Sequence, residues 1–183
     1  MAEALLLLLA AVLVVECRQL RWAVWILAVQ GGLLAVAAPF PASLVTLAVQ
    51  AVLLPALIYR YARHTAPAEV DGLPFGRGVA GALAAACLAL AAADLYAPVI
   101  GLNSPLLPWA GALIGAGSWG VSTHRDLLKG ILSFCVIQNG VHLALGGMAP
   151  HLPLSAELGL QAAVLLAVWL LLHVTHQLDW VRR

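Results

Sequence analysis

Charge is what this sequence has least of. Only 9% of its 183 residues are charged, against 63% that are hydrophobic, whereas a soluble domain carries roughly 25% charged side chains. Nine basic and eight acidic residues cannot cover the surface of a soluble domain of this length, so soluble enzyme folds are excluded. The net charge of +1 leaves no basic excess for nucleic acid and no acidic tail. Cysteine is scarce too. Cys17, Cys87 and Cys135 stand singly in or beside apolar runs without CxxC spacing, which reads as packing and supplies no ligand set for an iron–sulfur cluster. A basic region ahead of the Leu-rich start is missing, and Glu16 directly before Cys17 spoils a lipoprotein cleavage box, so the first apolar run is expected to stay in the protein. No carboxylate pair, Gly-rich phosphate loop or Ser/His/Asp arrangement lies within an apolar run, leaving no visible means of independent catalysis.

What the sequence does contain is hydrophobic length. A spanning helix needs about 20 apolar residues, fewer where its flanks snorkel. Seven segments qualify: Ala4–Val15, which is short, then Trp22–Ala38, Ser43–Tyr59, Gly78–Ile100, Leu106–Val121, Leu127–Met148 and Ala156–Val174. The breaks between them are Arg18–Arg21, Pro39-Phe40-Pro41, the polar stretch Arg60–Arg77, Asn103-Ser104-Pro105, His124-Arg125-Asp126 and Pro150-His151-Leu152-Pro153. The expected fold is thus an all-α integral membrane protein of about seven helices, a single transmembrane domain over residues 1–183 in the inner, cytoplasmic membrane. Basic residues supply a separate test, because they stay on the cytoplasmic side of short alternating loops. With seven spans, Arg18, Arg21, Arg60, Arg63, Arg77, Arg125, Lys129, Arg182 and Arg183 all fall on one side. Chance would place nine of nine on a given side about once in five hundred trials. The N-terminus is then outside and the C-terminus cytoplasmic, and the outer side receives only Glu3, Glu157 and Asp94. In the fourth and fifth segments, Ala84-Ala85-Ala86, Ala91-Ala92-Ala93, Gly111, Gly115 and Gly117 fit either a close helix–helix seam or plain Ala-rich composition.

Polar residues inside hydrocarbon are costly and mark the places to look for function. In the sixth segment Cys135, Gln138, Asn139 and His142 fall at i, i+3, i+4 and i+7 on one helical face, with Lys129 at its cytoplasmic start. Gln30 lies in the second segment, Ser43, Thr46 and Gln50 in the third, and Gln161 in the seventh. This set reads either as a polar axis through the membrane or as interhelical hydrogen bonding that fixes packing. His173, His176 and Asp179 near the C-terminal end beside Trp180 suit an interfacial position better than a metal site. An integral membrane enzyme using His142, His173 and His176 fails on geometry, because His142 and the other two fall towards opposite faces of the bilayer.

The stretch from Arg125-Asp126-Leu127-Leu128-Lys129 through Gln138-Asn139-Gly140-Val141-His142 resembles the hydrogenase-4 component E family. Gln50-Ala51-Val52-Leu53-Leu54-Pro55, running to Tyr61-Ala62-Arg63, is similar to that family's third helix with its basic end, and Glu157-Leu158-Gly159-Leu160 to the entry of its last helix. The resemblance implies a membrane subunit of group 4 hydrogenase or formate hydrogenlyase-like complexes, with residues 106–174 similar to the three-helix K subunit of respiratory complex I and the C subunit of Mrp-type antiporters. It implies a non-catalytic subunit linking antiporter-like membrane subunits, embedded in lipid. Peripheral redox subunits would be reached indirectly, and any iron–sulfur or nickel-iron centres would lie in partner chains. It also exposes departures. Gln50 stands where the family commonly has a membrane Lys, Gln138 where it has an acid, and Ala163 where it can have an Asp. Glutamine holds hydrogen bonds and water but does not exchange protons near neutral pH, so proton movement would fall to neighbours' Lys and Glu residues. The polar axis carried over is Gln50, Lys129, Gln138, Asn139, His142 and Gln161. The competing reading is a self-contained small transporter or channel, which needs a charged or broken-helix site at the midplane.

The charge asymmetry generates a direct test. Cysteines placed in Glu69–Asp71 and in Pro150–Pro153 of a cysteine-free chain should react with an impermeant reagent from opposite sides of sealed vesicles, the first from the cytoplasmic side. Reaction of both from one side overturns the seven-span order.

Overall fold

A computed structural model describes residues 2–37, 41–65, 75–99, 101–102, 104–149 and 152–181. Among these the protein is all helix, with no strand. The first helix is Ala2–Glu16, the second Leu20–Ala37, the fourth Phe75–Tyr96, the fifth Leu107–Thr123, the sixth Leu127–Met148 and the seventh Leu154–Val181. The third runs as α-helix over Ala42–Thr46, π-helix over Leu47–Leu53 and α-helix again over Leu54–Thr65. Four segments are long and apolar enough to cross a membrane, namely Ala42–Arg63, Gly76–Tyr96, Leu127–Met148 and Leu154–Gln177, and Leu20–Val36 is a shorter apolar helix. Large apolar side chains such as Leu5, Trp22, Trp25, Leu88, Leu95 and Leu166 are exposed on the outside, as a lipid-facing surface requires. The chain is a multi-pass, all-α membrane protein.

The predicted segments coincide with these helices, and the differences are at the ends. The third helix does not stop at Tyr59 but carries Arg60 and Arg63 on its last turns. The seventh begins at Leu154, taking Glu157 into its first turn, and runs past Val174 to Val181. Polar ends of this kind are ordinary in spanning helices, whose flanks reach beyond the hydrocarbon. Ala38, Pro39-Phe40, residues 66–74 of the polar stretch, Ile100, Asn103, Pro150-His151 and Arg182-Arg183 lie outside the described residues, as do the side chains of Asp179 and Trp180.

The fifth helix lies between the fourth and the sixth and is the most closely packed element. Its glycines explain why. A Cβ placed on Gly115 would stand 2.5 Å from the Ala85 carbonyl oxygen, and one on Gly111 2.8 Å from that of Ala89. Backbone therefore meets backbone along this face, which selects the packing seam over mere composition. On the other face, Gly117 takes the Ser133 carbonyl at a similar approach. The first helix packs on the second, fifth and sixth, and the second also meets the third and sixth. The seventh is held by the third and sixth.

The π segment of the third helix has a local cause in Pro55. A proline inside an α-helix lacks an N–H and collides with the carbonyl four residues back, here that of Ala51. Widening the preceding turn moves this carbonyl aside, and the Leu54 N–H then donates to the Val49 carbonyl, five residues back. The widened backbone lies against the second helix at Gly31, where a Cβ would stand 2.5 Å from the Gln50 carbonyl.

Gly115→Ala should destabilise the bundle by about 1–3 kcal/mol through overpacking against backbone, despite alanine's better helix propensity. Gly32→Ala, with nothing within 4 Å of the added carbon, should leave stability unchanged or raise it by up to about 1 kcal/mol. Thermal unfolding in detergent separates the two. Equal effects would dismiss the seam.

Candidate functional site

The interior polar residues gather into two groups. The larger joins the third, sixth and seventh helices. Gln50 Nε2 donates to Gln161 Oε1 at 2.9 Å, and Gln161 Nε2 donates to Glu157 Oε1 at 3.1 Å. The Thr46 hydroxyl donates to the same Glu157 oxygen at 3.3 Å and lies 3.2 Å from His142 Nε2. His142 Nε2 is itself 3.3 Å from Glu157 Oε1, and its Nδ1 is 3.5 Å from Gln161 Nε2. With Gln161 donating towards Nδ1, the set closes when the imidazole carries its proton on Nε2 and shares it with Thr46 and Glu157. All five side chains are buried. The spacing of the sequence builds this arrangement: Glu157 and Gln161 are i and i+4 on one helix face, and Thr46 and Gln50 are likewise four apart. Glu157 also occupies the first turn of its helix, where the unpaired N–H groups favour a carboxylate.

A short link adjoins this group. Asn139 Nδ2 donates to Gln30 Oε1 at 3.1 Å, and Gln30 Nε2 donates to the Leu7 carbonyl at 3.3 Å, tying the sixth helix through the second to the first. Gln138 is half-buried and takes no part in these hydrogen bonds. Of these two neighbours expected on the axis, Asn139 makes the contact and Gln138 does not, because one step along a helix turns the side chain by about 100°.

The second group is at the other end of the sixth helix. Lys129 is 1% exposed and donates through Nζ to the Val15 carbonyl at 2.9 Å and the Val14 carbonyl at 3.2 Å. These are C-terminal carbonyls of the first helix, which lack intrahelical donors and carry the negative end of the helix dipole. Asp126 caps the sixth helix by accepting from the Lys129 backbone N–H at 3.0 Å. Glu16 is buried against Gly78, and its carboxylate lies 3.9 Å from His124 Nε2. Trp119 Nε1 and both ring nitrogens of His124 are buried beside Glu16 and the end of the first helix, and Ser133 Oγ is buried without a hydrogen-bond partner among the described residues. His124, in the link between the fifth and sixth helices, is held below the ordinary histidine range by burial and, secondarily, by the charge of Lys129.

Lys129 and His142 are about 20 Å apart along the helix. Between Ser133 and Asn139 the helix presents Cys135 and Val136, both buried, so about 9 Å of apolar packing separates the two groups.

Of the six residues expected to form one axis, Gln50, His142 and Gln161 come together. Asn139 pairs with Gln30, Lys129 belongs to the other group, and Gln138 joins neither. Glu157, assigned to the outer side of the membrane and not to the axis, is buried at the centre of the larger group. Its signal was the four-residue spacing to Gln161. Glu16 and His124 also go beyond the expected site, and their meeting depends on the fold. Among the described residues no three His, Cys, Asp or Glu side chains are grouped to hold a metal. Fold and site together define an all-α membrane protein with a buried carboxylate–imidazole pair. No family model, curated protein or solved structure matches the chain.

The His124 environment sets a pH dependence. Its folded-state pKa is below the ordinary 6.5, so the unfolded chain binds the proton more readily. That contribution to stability is fully present above about pH 6.5 and is lost as pH falls below it. His124→Gln should flatten this decline in melting temperature between about pH 7 and pH 5. An unchanged slope would show that the acid sensitivity resides elsewhere.

Proposed function

We propose that this chain is a non-catalytic membrane-arm subunit of a complex I-like or group 4 hydrogenase-like complex that couples redox chemistry to ion translocation. It links antiporter-like subunits, spans the cell's inner membrane seven times with the N-terminus outside, and leaves any redox centres to partner chains. The observation that carries this reading is the buried His142–Glu157 pair, 3.3 Å apart, in a hydrogen-bonded group that joins three helices. Buried titratable side chains within a membrane bundle mark a proton path or an essential contact. The family-like positions Gln50 and Gln138 are neutral, and Glu157 supplies a carboxylate beside Gln50's partner. Proton exchange in this subunit then runs through His142 and Glu157, and the neighbours' Lys and Glu residues complete the route.

The resemblance in motif order from the third helix to the seventh supports the same assignment, as does the small extramembrane mass of the described residues. Extracted in mild detergent, the chain should co-purify stoichiometrically with other membrane subunits. In that assembly Glu157→Gln should abolish or strongly reduce redox-driven ion movement while redox turnover persists, and Gln138→Ala should leave both unchanged. A chain that transports ions when reconstituted alone would replace this reading with the self-contained transporter.

A further inference from the structure

The third and seventh helices enclose a groove of about 590 Å³ near their C-terminal ends, remote in sequence from the His142–Glu157 group. Its wall changes character along both helices in the same direction. Leu57 on the third helix, with Trp169 and Leu172 on the seventh, come first, and Arg60, His173 and His176 follow. Those polar residues fall within the last turns of the apolar spans Ala42–Arg63 and Leu154–Gln177, where a membrane helix passes from hydrocarbon into the headgroup layer. His173 stacks on Trp169, with ring centroids 5.6 Å apart and planes within 13°, which fixes an imidazole at the boundary between the two parts. Among the described residues the lining holds one permanent cation and two imidazoles and no carboxylate. An apolar slot opening onto a guanidinium and two imidazoles matches a molecule with hydrocarbon chains and a net negative phosphate head. Arginine's planar fork pairs with phosphate oxygens, and basic pockets between spanning helices are suited to anionic lipid headgroups.

We propose that this groove is a binding site for an anionic phospholipid, with its phosphate held by Arg60 and the two histidines and an acyl chain lying along Leu57, Trp169 and Leu172. The site is independent of the subunit reading and does not require a partner chain.

The test uses the full chain extracted from membranes with whatever co-purifies, exchanged into bilayers of equal phosphatidylglycerol and phosphatidylcholine. Lipid retained after release into mild detergent is then quantified by mass spectrometry. The expected result is a preference for phosphatidylglycerol of at least about fivefold, the contribution of one basic residue at a membrane surface. It should fall towards one in Arg60→Gln, survive in Arg60→Lys, and survive in Arg77→Gln, which removes an exposed cation on another helix. Inorganic phosphate should not displace the lipid, because it leaves the apolar slot unfilled. Equal retention of the two lipids by the unmodified chain overturns the proposal, and so does a preference that survives Arg60→Gln. A photoreactive residue at position 169 that forms adducts with protein in place of lipid assigns the groove to a partner helix and overturns it as well.

Discussion

Hydrocarbon gives apolar side chains no reason to prefer one another over lipid, and it offers a polar group no partner. A bundle in that solvent is held by close backbone approach and by internally paired polar atoms. This chain divides the two tasks. The fifth helix uses glycine to bring its backbone onto the fourth and sixth. The seventh helix lacks such an arrangement at its contact with the third and sixth, and it is joined to them through Glu157, Gln161, His142, Thr46 and Gln50. Each interhelical hydrogen bond of this kind is worth only about 1 kcal/mol. The seventh helix therefore depends on having several at once.

Two of the buried charged side chains are matched to helix ends. Lys129 meets the C-terminal carbonyls of the first helix, and Glu157 stands in the first turn of the seventh. In both places the backbone presents partial charge of the opposite sign, which stabilises the group where it sits. This separates their roles. Lys129 secures the first helix, a fifteen-residue element about 22 Å long and shorter than the hydrocarbon layer. Glu157 meets His142, 3.3 Å away, and so joins the seventh helix to the sixth.

Much of the fold was legible because hydrophobic length is a one-dimensional signal. All seven apolar segments correspond to helices, and Leu127–Met148 was bounded to the residue. Small-residue composition left two readings open, since only the positions of Ala85 and Ala89 opposite Gly115 and Gly111 reveal a seam. The site was legible in part. Helical periodicity placed Asn139 and His142 inward, but it also placed Gln138 there, because a face defined by i, i+3, i+4 and i+7 is broader than one line of contact. Glu157 fell to the outer side of the membrane through the seven-span order and was left out of the axis. Its burial was not legible, because the partners that replace its solvation, Thr46 and Gln161, come partly from another helix.

The residue that places Gln50 is not polar at all. Pro55 cannot close an α-turn onto the Ala51 carbonyl, so the turn before it widens, and the widened turn carries Gln50. A bulge of this sort protrudes and would push a neighbouring helix away. Gly31 receives it, with no side chain between its backbone and that of Gln50. The second helix can therefore stay close enough for Gln30 to reach both Asn139 and the Leu7 carbonyl. Proline in one helix and glycine in another thus set the register in which Gln50 meets Gln161 and Gln30 meets Asn139. The polar contacts of the bundle's centre are positioned by two residues that contribute no side-chain hydrogen bond.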